Sequence, residues 1–309
     1  MHREAQISPE NKNSLDFKKV MCRFCKSENI VKKGFRKTQR RGKQQRWLCR
    51  DCNRSFTHDK GFWKMKNPEH LVTMSLDQYY MNLSSRKVSN SLSNYLNNEA
   101  THQSVLNWVR KYSQKVKPFT ESLQLDFSGE TYLDETEIKC RKKAGIFWSA
   151  IDGNTKYIVG YLYSYQAQNV KDAMKVLKTV KDRQQTKFIQ TDGLVYYPTA
   201  MRRMFYSNKT GGLTVDHIIL NTSKTGKHNI KIERFFRNIK ERTQLMYWFK
   251  NFRSANAILD GYIIWYNFVR NHMTLGKTPA EEAGFAIDLG KNKWRKLIEI
   301  ATYSNNHTP

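Results

Sequence analysis

The chain has 309 residues and carries 54 Lys and Arg against 27 Asp and Glu, a formal net charge of +27. This excess favours a polyanionic partner, nucleic acid before an anionic membrane surface. Hydrophobic residues (39%) and aromatic residues (13%) suffice for packed cores, which argues against wholesale disorder. No apolar run approaches the roughly 20 residues of a spanning helix, and the N-terminus lacks a secretory signal core, so we expect an intracellular protein outside the membrane.

Four cysteines in two close pairs mark the first folded segment. They are Cys22 and Cys25, then, after 23 residues, Cys49 and Cys52. Pairs of this spacing are typical of the two knuckles of a tetrahedral Zn²⁺ site, and a turn between Thr38 and Lys43 would close the hairpin between them. Two disulfides are the alternative, which the absence of a secretion signal disfavours. The sequence predicts a zinc ribbon over residues 17–66, preceded by a flexible arm over residues 1–16.

The charge of this segment indicates what the ribbon contacts. Residues 17–66 contain 17 Lys and Arg and three acids, Glu28, Asp51 and Asp59, with aromatic residues among them. A solvated basic face is the alternative to a binding surface. The density of charge around a zinc ribbon favours contact with phosphates.

Three helices are predicted over residues 67–117. Asn67 with Pro68, Ser84 or Ser85, and Thr101 supply the helix starts, and apolar residues follow at helical spacing. In the third helix the exposed face carries side chains that can reach bases or phosphates, namely Gln103, Asn107, Arg110 and Lys111. This arrangement resembles a helix-turn-helix, and a plain three-helix spacer is the alternative.

Beyond Pro118 the pattern changes to strands alternating with helices. Strands are predicted at 131–139, 146–152, 157–164, 187–191 and 216–220, and helices at 169–182 and 198–206. The lone Cys140 is interpreted as a strand residue. The succession predicts an α/β domain over residues 125–285, with a mixed sheet flanked by helices, and residues 286–309 as a C-terminal tail.

Three acidic positions stand out in this domain. Asp134 lies inside the first strand, where aspartate is rare, and Asp192 ends the fourth strand before a glycine, although such a residue can also merely cap a turn. A helix starting at Asn229 would place Glu233, Arg237, Lys240 and Gln244 on one stripe. A surface helix with ordinary charge pairs is the alternative interpretation of this stripe. The two-residue strand period places Glu135 and Glu137 on the face opposite Asp134.

Together these segments resemble the DDE transposases of prokaryotic insertion sequences, whose core is ribonuclease-H-like. The resemblance rests on Leu133-Asp134-Glu135-Thr136, Thr191-Asp192-Gly193 and Ile232-Glu233-Arg234-Phe235 with Lys240, on spacings of 58 and 41 positions, and on Asn267–His272 followed by Lys277-Thr278-Pro279. It implies that Asp134, Asp192 and Glu233 bind catalytic Mg²⁺ or Mn²⁺. Lys240, Arg237, Arg110 and Lys111 would contact DNA. His272 would at most be an auxiliary phosphate or DNA contact, since this chain has Asn271 where the family often has proline, and a packed or capping histidine is the alternative.

The function implied is metal-dependent cleavage and strand transfer of insertion-sequence ends. The partners would be double-stranded DNA, both element ends and target, and a homodimer or larger assembly formed on that DNA. The location would be the cytoplasm, on the nucleoid. Two other functions stay open: a DNA-binding regulator whose second half is a non-catalytic relic, and a metal-dependent nuclease that cuts without joining ends.

Overall fold

The computed structural model describes residues 20–38, 42–58, 60–141, 143–165, 168–220 and 229–307. The chain divides into two units, residues 1–66 with 302–309, and residues 67–301. The arm predicted over residues 1–16 and the tip of the predicted hairpin turn, residues 39–41, lie outside the described residues.

The first unit contains a three-stranded antiparallel sheet with the strand order β1-β2-β3. The strands are β1 (Ile30–Thr38), β2 (Gly42–Cys49) and β3 (Ser55–Thr57). Its core is small, with Cys22, Cys49 and Phe56 buried and a few partly buried side chains packed against them. Burial of so few apolar groups stabilises a fold of this size only weakly.

Three helices open the second unit: α1 (Glu69–Tyr80), α2 (Ser85–Leu96) and α3 (His102–Ser122). Ser84 and Thr101 cap α2 and α3 as predicted, because their side chains accept hydrogen bonds from backbone N–H groups in the first turn. Asn67 does not cap α1. Pro68 takes the cap position, and the Asn67 side chain instead accepts a hydrogen bond of 2.8 Å from Asn98.

A five-stranded mixed sheet follows, in the order β10-β7-β4-β5-β6. Its strands are β4 (Glu130–Cys140), β5 (Lys143–Asp152), β6 (Ile158–Ser164), β7 (Phe188–Asp192) and β10 (Asp216–Leu220). Helix α4 (Val170–Arg183) connects β6 to β7, and α5 (Tyr196–Phe205) follows β7. A short hairpin of β8 (Tyr206–Ser207) and β9 (Gly212–Leu213) then leads to β10. β4, β5 and β6 are antiparallel neighbours, whereas β7 is parallel to both β4 and β10. The predicted mixed sheet flanked by helices is therefore confirmed.

The described residues after β10 contain four further helices: α6 (Ile230–Gln244), α7 (Phe252–Ile264), α8 (Pro279–Glu282) and α9 (Lys293–His307). One π-helical turn, Trp265–Val269, extends α7. The presence of α9 differs from the tail predicted over residues 286–309. Trp294, Leu297 and Ile298 of this helix are buried, so its part up to Ala301 contributes to the core of the second unit.

Helices α1 and α3 pack directly on α7, which differs from the separate helical domain predicted over residues 67–117. A Cβ atom at Gly261 would lie 1.9 Å from the Tyr80 hydroxyl and 2.0 Å from Ser113 Oγ, so only glycine permits this approach. Lys117 donates to Asp260 at 2.8 Å across the same contact. Residues 67–117 therefore lie in one unit with the sheet.

Among the described residues, no helix is long and apolar enough to cross a bilayer.

A buried carboxylate fixes the start of β4. Asp152 is fully buried at the end of β5 and accepts hydrogen bonds from the backbone N–H and hydroxyl of Ser128 and of Thr155. The Ser128 hydroxyl oxygen accepts in turn from the N–H of Glu130, the first residue of β4. Asp152 thus ties the β5–β6 turn to the strand that carries Asp134.

Replacing this carboxylate should destabilise the second unit. Asp152→Ala leaves several buried donors without an acceptor, so the free energy of unfolding should fall by about 3 kcal/mol or more. Asp152→Asn keeps one acceptor oxygen and should lose less. Denaturant unfolding of both variants measures this. An alanine variant as stable as the wild type would contradict the role assigned to Asp152.

Candidate active site

Two of the predicted acids meet at the centre of the mixed sheet. Asp134 lies in β4 and Asp192 ends β7, and the two strands are paired only through Glu130–Tyr132 of β4. Between Leu133 and Ile138, no strand among the described residues pairs with this edge of β4, so side chains there reach the space at the end of β7. Carboxylate oxygens of Asp134, Asp192 and Glu135 all lie within 4.8 Å of one another.

Glu135 is the third member of this carboxylate cluster, although the two-residue strand period places it on the face of the sheet opposite Asp134. The pairing of β4 with β5 is regular through both residues, so the alternation of faces holds, and the two half-buried carboxylates come together at the edge of the strand. The unpaired edge of β4 leaves room for both side chains. Glu135 accepts hydrogen bonds from the hydroxyls of Tyr196 and Tyr197 and, at 2.8 Å, from the amide of Gln168.

The two tyrosines were missed because α5 begins earlier than predicted. The sequence predicted the helix from Pro198, whereas it starts at Tyr196. Proline is tolerated anywhere in the first helical turn, so Pro198 allows a start two residues upstream. A tyrosine pair placed four and five positions after a strand-ending aspartate is the signal that could have revealed it.

Burial and mutual repulsion disfavour the ionised form of the carboxyl groups in this cluster. Burial, followed by the charge of Glu135, raises the pKa of Asp134 to about 7. Burial also raises the pKa of Glu135, although its two tyrosine donors oppose the shift, and burial raises the pKa of Asp192. A bound cation would relieve this repulsion, because it favours the charged form of each carboxyl group.

Glu233 lies in the first turn of α6 and lines the same open cleft as Asp134 and Glu135. It is not part of the carboxylate cluster within 4.8 Å. Arg237, Lys240 and Gln244 line the cleft further along α6, so the predicted stripe does face one surface. The cleft therefore combines acids at one end with cations about one and two helical turns away.

The other predicted DNA contacts lie outside this cleft. On α3, Lys111 is exposed and Arg110 is half-buried beside Asn107. His272 is half-buried, and its Nδ1 is a buried atom with no hydrogen-bond partner among the described residues. Burial, then the charges of Arg270, Lys156 and Arg234, lowers the pKa of His272.

The four paired cysteines form a second group with metal-ligand geometry. All four are free thiols, and their sulfur atoms lie within 4.8 Å of one another. The Cys22–Cys52 and Cys25–Cys49 sulfur pairs are each 3.5 Å apart. Cys140 lies elsewhere, buried in β4 with its sulfur 2.8 Å from the Tyr165 hydroxyl.

Comparison with known proteins bears on the second unit. A family model described as a DDE domain matches residues 129–272, the segment that contains the three acids of the predicted triad and Glu135. An uncharacterized protein of Methanocaldococcus jannaschii is 29% identical over 198 residues, which cover 62% of this chain and 83% of the relative.

Two solved structures show low similarity to the fold. The catalytic core domain of HTLV-2 integrase in complex with magnesium is 15% identical, with a TM-score of 0.39 over 52% of this chain and 99% of that chain. The catalytic domain of the Mos1 mariner transposase is 12% identical, with a TM-score of 0.34 over 64% and 90%.

The raised pKa of Asp134 predicts a pH-dependent stability of the metal-free protein. Folding raises this pKa from 3.8 to about 7. The resulting stabilisation is therefore complete below pH 4 and is lost as the pH rises through 7. Asp134→Asn cannot release this proton, so its stability relative to the wild type should increase across this window, by at most about 4 kcal/mol.

Chemical denaturation of both proteins in chelator at pH 4, 6 and 8 measures this difference. At pH 8, added Mg²⁺ should stabilise the wild type and so reduce the difference in stability between the two proteins, because the cation stabilises the ionised carboxylates. A stability difference that does not change between pH 4 and 8 would show that the Asp134 carboxyl group is not held in the environment described.

Proposed function

We propose that this protein, a DDE transposase of the insertion-sequence type, cuts the ends of a mobile DNA element and joins them to target DNA. The observation that carries the proposal is the carboxylate cluster of Asp134, Glu135 and Asp192, beside Glu233, in the DDE domain of a chain with a net charge of +27. In a chain with so many basic residues, a group of half-buried acids is unfavourable unless a metal cation is bound between the acids and a phosphate.

The carboxylates fit Mg²⁺ or Mn²⁺, which prefer hard oxygen ligands. Asp134 and Asp192 would hold the ions, and Glu233 would supply a further ligand from the other side of the cleft. When bound, such ions supply Lewis-acid activation of a water or a DNA 3′-hydroxyl and stabilise the leaving oxygen. The raised pKa of Asp134 supports this assignment, because the site disfavours its own negative charge until a cation is present.

The chain's other residues would position the acids and the substrate. Tyr196 and Tyr197 hold the Glu135 carboxylate next to Asp134, so Glu135 is either a ligand or the group that orients one. Arg237 and Lys240 would bind phosphates that follow the cleaved bond, since they line the same cleft. No covalent enzyme intermediate is required.

The cysteine group fits structural Zn²⁺. In a tetrahedral site with Zn–S bonds of about 2.3 Å, the sulfur atoms are about 3.8 Å apart, close to the 3.5 Å between the paired sulfurs here. Zn²⁺ would stabilise the three-stranded sheet, whose apolar core is small, and that sheet would present its cations to DNA.

Double-stranded DNA is the partner we assign, as element ends and as target. Arg110 and Lys111 on α3 and His272 would contact it outside the catalytic cleft. Joining two ends requires two active sites, so we expect a homodimer or larger assembly on the DNA. The regulator with a relic core is disfavoured by the intact acids, and the nuclease that does not join ends is distinguished by its products.

Loss of an acid should abolish the reaction. Metal ions contribute several kcal/mol to phosphoryl-transfer transition states, so Asp134→Ala, Asp192→Ala and Glu233→Ala should each lower strand transfer at least about 10³-fold. Glu135→Gln should lower it by about 10- to 100-fold, as expected of a group that orients a ligand. The measurement is a gel assay of cut and joined products with end-containing DNA and Mg²⁺.

Asp182→Ala is the matched control, because Asp182 is an exposed acid on α4 outside the cleft. It should retain full activity. Undiminished transfer by Asp134→Ala or Glu233→Ala would remove that residue from the mechanism. Cut DNA without joined products would favour the nuclease.

Zinc should be needed by the first unit. Because a structural zinc site supplies most of the folding energy of so small a sheet, Cys49→Ser should abolish metal binding there and unfold it. Cys140→Ser, which changes a cysteine outside the group, should retain one Zn²⁺ per chain. Elemental analysis of the purified proteins, with thermal unfolding before and after chelation, tests this. Equal zinc content in both variants would contradict the assignment.

A further inference from the structure

Three exposed apolar side chains follow the end of α6, and we call them the aromatic tip. They are Leu245, Tyr247 and Trp248, with exposed fractions of 48%, 85% and 43%. Grouped apolar side chains on a protein surface indicate a binding site, because each costs free energy in water. The proposed reaction gives these residues no role.

The aromatic tip is held on a fixed support. Phe249 is buried, its N–H donates to the carbonyl of Lys139 at 3.1 Å, and its own carbonyl accepts from the N–H of Arg141 at 2.8 Å. The Arg141 side chain also donates to the carbonyl of Lys250 at 2.7 Å. The segment is thus bonded to the end of β4, so the exposed rings project from a defined position.

The backbone at the aromatic tip is strained. Tyr247 has a φ of 62°, a left-handed conformation that bulky residues rarely adopt. Its N–H is bonded to the carbonyl of Gln244, and the N–H of Trp248 to that of Met246, so the turn is closed by hydrogen bonds. Strain of this kind persists where the surrounding structure imposes it, and it is common at functional sites.

Two independent paths give the distance from the aromatic tip to the carboxylate cluster. Along β4, six residues separate Asp134 from Cys140, which at the strand rise is about 20 Å. Along α6, eleven residues separate Glu233 from Gln244, about 17 Å, before the turn to Tyr247. The tip therefore lies about 20 Å from the acids, along the cleft that Arg237 and Lys240 line.

The surroundings of the aromatic tip are cationic. The segments around it expose five cations, Lys139, Arg141, Lys143, Lys250 and Arg253, against two acids, Glu137 and Glu241. A second copy of this chain would bring like charge to this surface. Aromatic side chains among cations are the arrangement that binds nucleic acid bases, because the rings stack on bases while the cations neutralise phosphates.

We propose that the aromatic tip stacks on an unstacked base of the substrate DNA, about six nucleotides from the phosphate that is cleaved. The number follows from the 20 Å separation and the rise of about 3.4 Å per nucleotide. This inference rests on the proposed function, because it uses the cleft as the path of the DNA. Bases inside an intact duplex offer no free face, so the DNA must be distorted at this position.

The test uses full-length protein carrying Asp134→Ala, so that binding is measured without cutting. The substrates are a series of DNA duplexes that contain the end of the element, the DNA that flanks the coding sequence. Each duplex carries 2-aminopurine at a different position. Binding should change the fluorescence most at positions about five to seven nucleotides from the cleavage site. Tyr247→Ala with Trp248→Ala should abolish that change and weaken DNA binding between about 5- and 150-fold.

Tyr95→Ala is the matched control, since Tyr95 on α2 is an equally exposed tyrosine, at 82%. It should leave fluorescence and affinity unchanged. Thermal unfolding of the tip variant should match the wild type, because the replaced side chains are exposed. Identical fluorescence profiles with and without the tip would overturn the proposal.

Two further outcomes have defined meanings. If the tip substitutions instead change the oligomeric state in the absence of DNA, the surface binds a second copy of the chain, and the proposal is wrong. If the fluorescence signal depends on the tip while the protein with an intact Asp134 never joins ends, the base contact stands and the strand-transfer function fails. The two inferences are therefore separable.

Discussion

Repulsion among Asp134, Glu135 and Asp192 is the constraint on which the rest of the second unit depends. Three carboxylates within 4.8 Å, partly shielded from water, are unfavourable unless protonated or neutralised by a cation. The fold holds them in this arrangement through the pairing of β4 with β7, and the hydroxyls of Tyr196 and Tyr197 hold Glu135. Holding the three carboxylates together thus lowers the stability of the metal-free protein, and a bound cation would restore that stability.

The position of the site follows from where strand pairing stops. β7 ends at Asp192 and pairs with only the first residues of β4, so among the described residues the middle of β4 has an open edge, before Phe249 bridges to Cys140. Helix α6 covers this region with buried Ile232, Phe235 and Phe236 while Glu233 faces the cleft. One amphipathic helix therefore anchors itself in the core and carries an acid and two cations along the cleft.

The helices before the sheet also support this arrangement. Arg242 of α6 is buried with its guanidinium 3.8 Å from the centre of the Tyr79 ring, and it donates to the carbonyl of Leu83. Gly261 lets α7 approach Tyr80 and Ser113 at close range. Because α6 and α7 contact the N-terminal helices this tightly, a substitution in residues 67–122 can disturb the cleft without touching it.

The sequence by itself determined the five strands of the mixed sheet, helices α1 to α4 and the position of the acids at 134 and 192 in two of those strands, because local patterns such as strand alternation and helix caps act over a few residues. It missed Glu135, the helix start at Tyr196 and the packing of α1 and α3 on α7. Only the tertiary structure decided these, since each depends on where a strand loses its neighbour or where two backbones meet. Such contacts join residues far apart in the chain, and no local pattern encodes them.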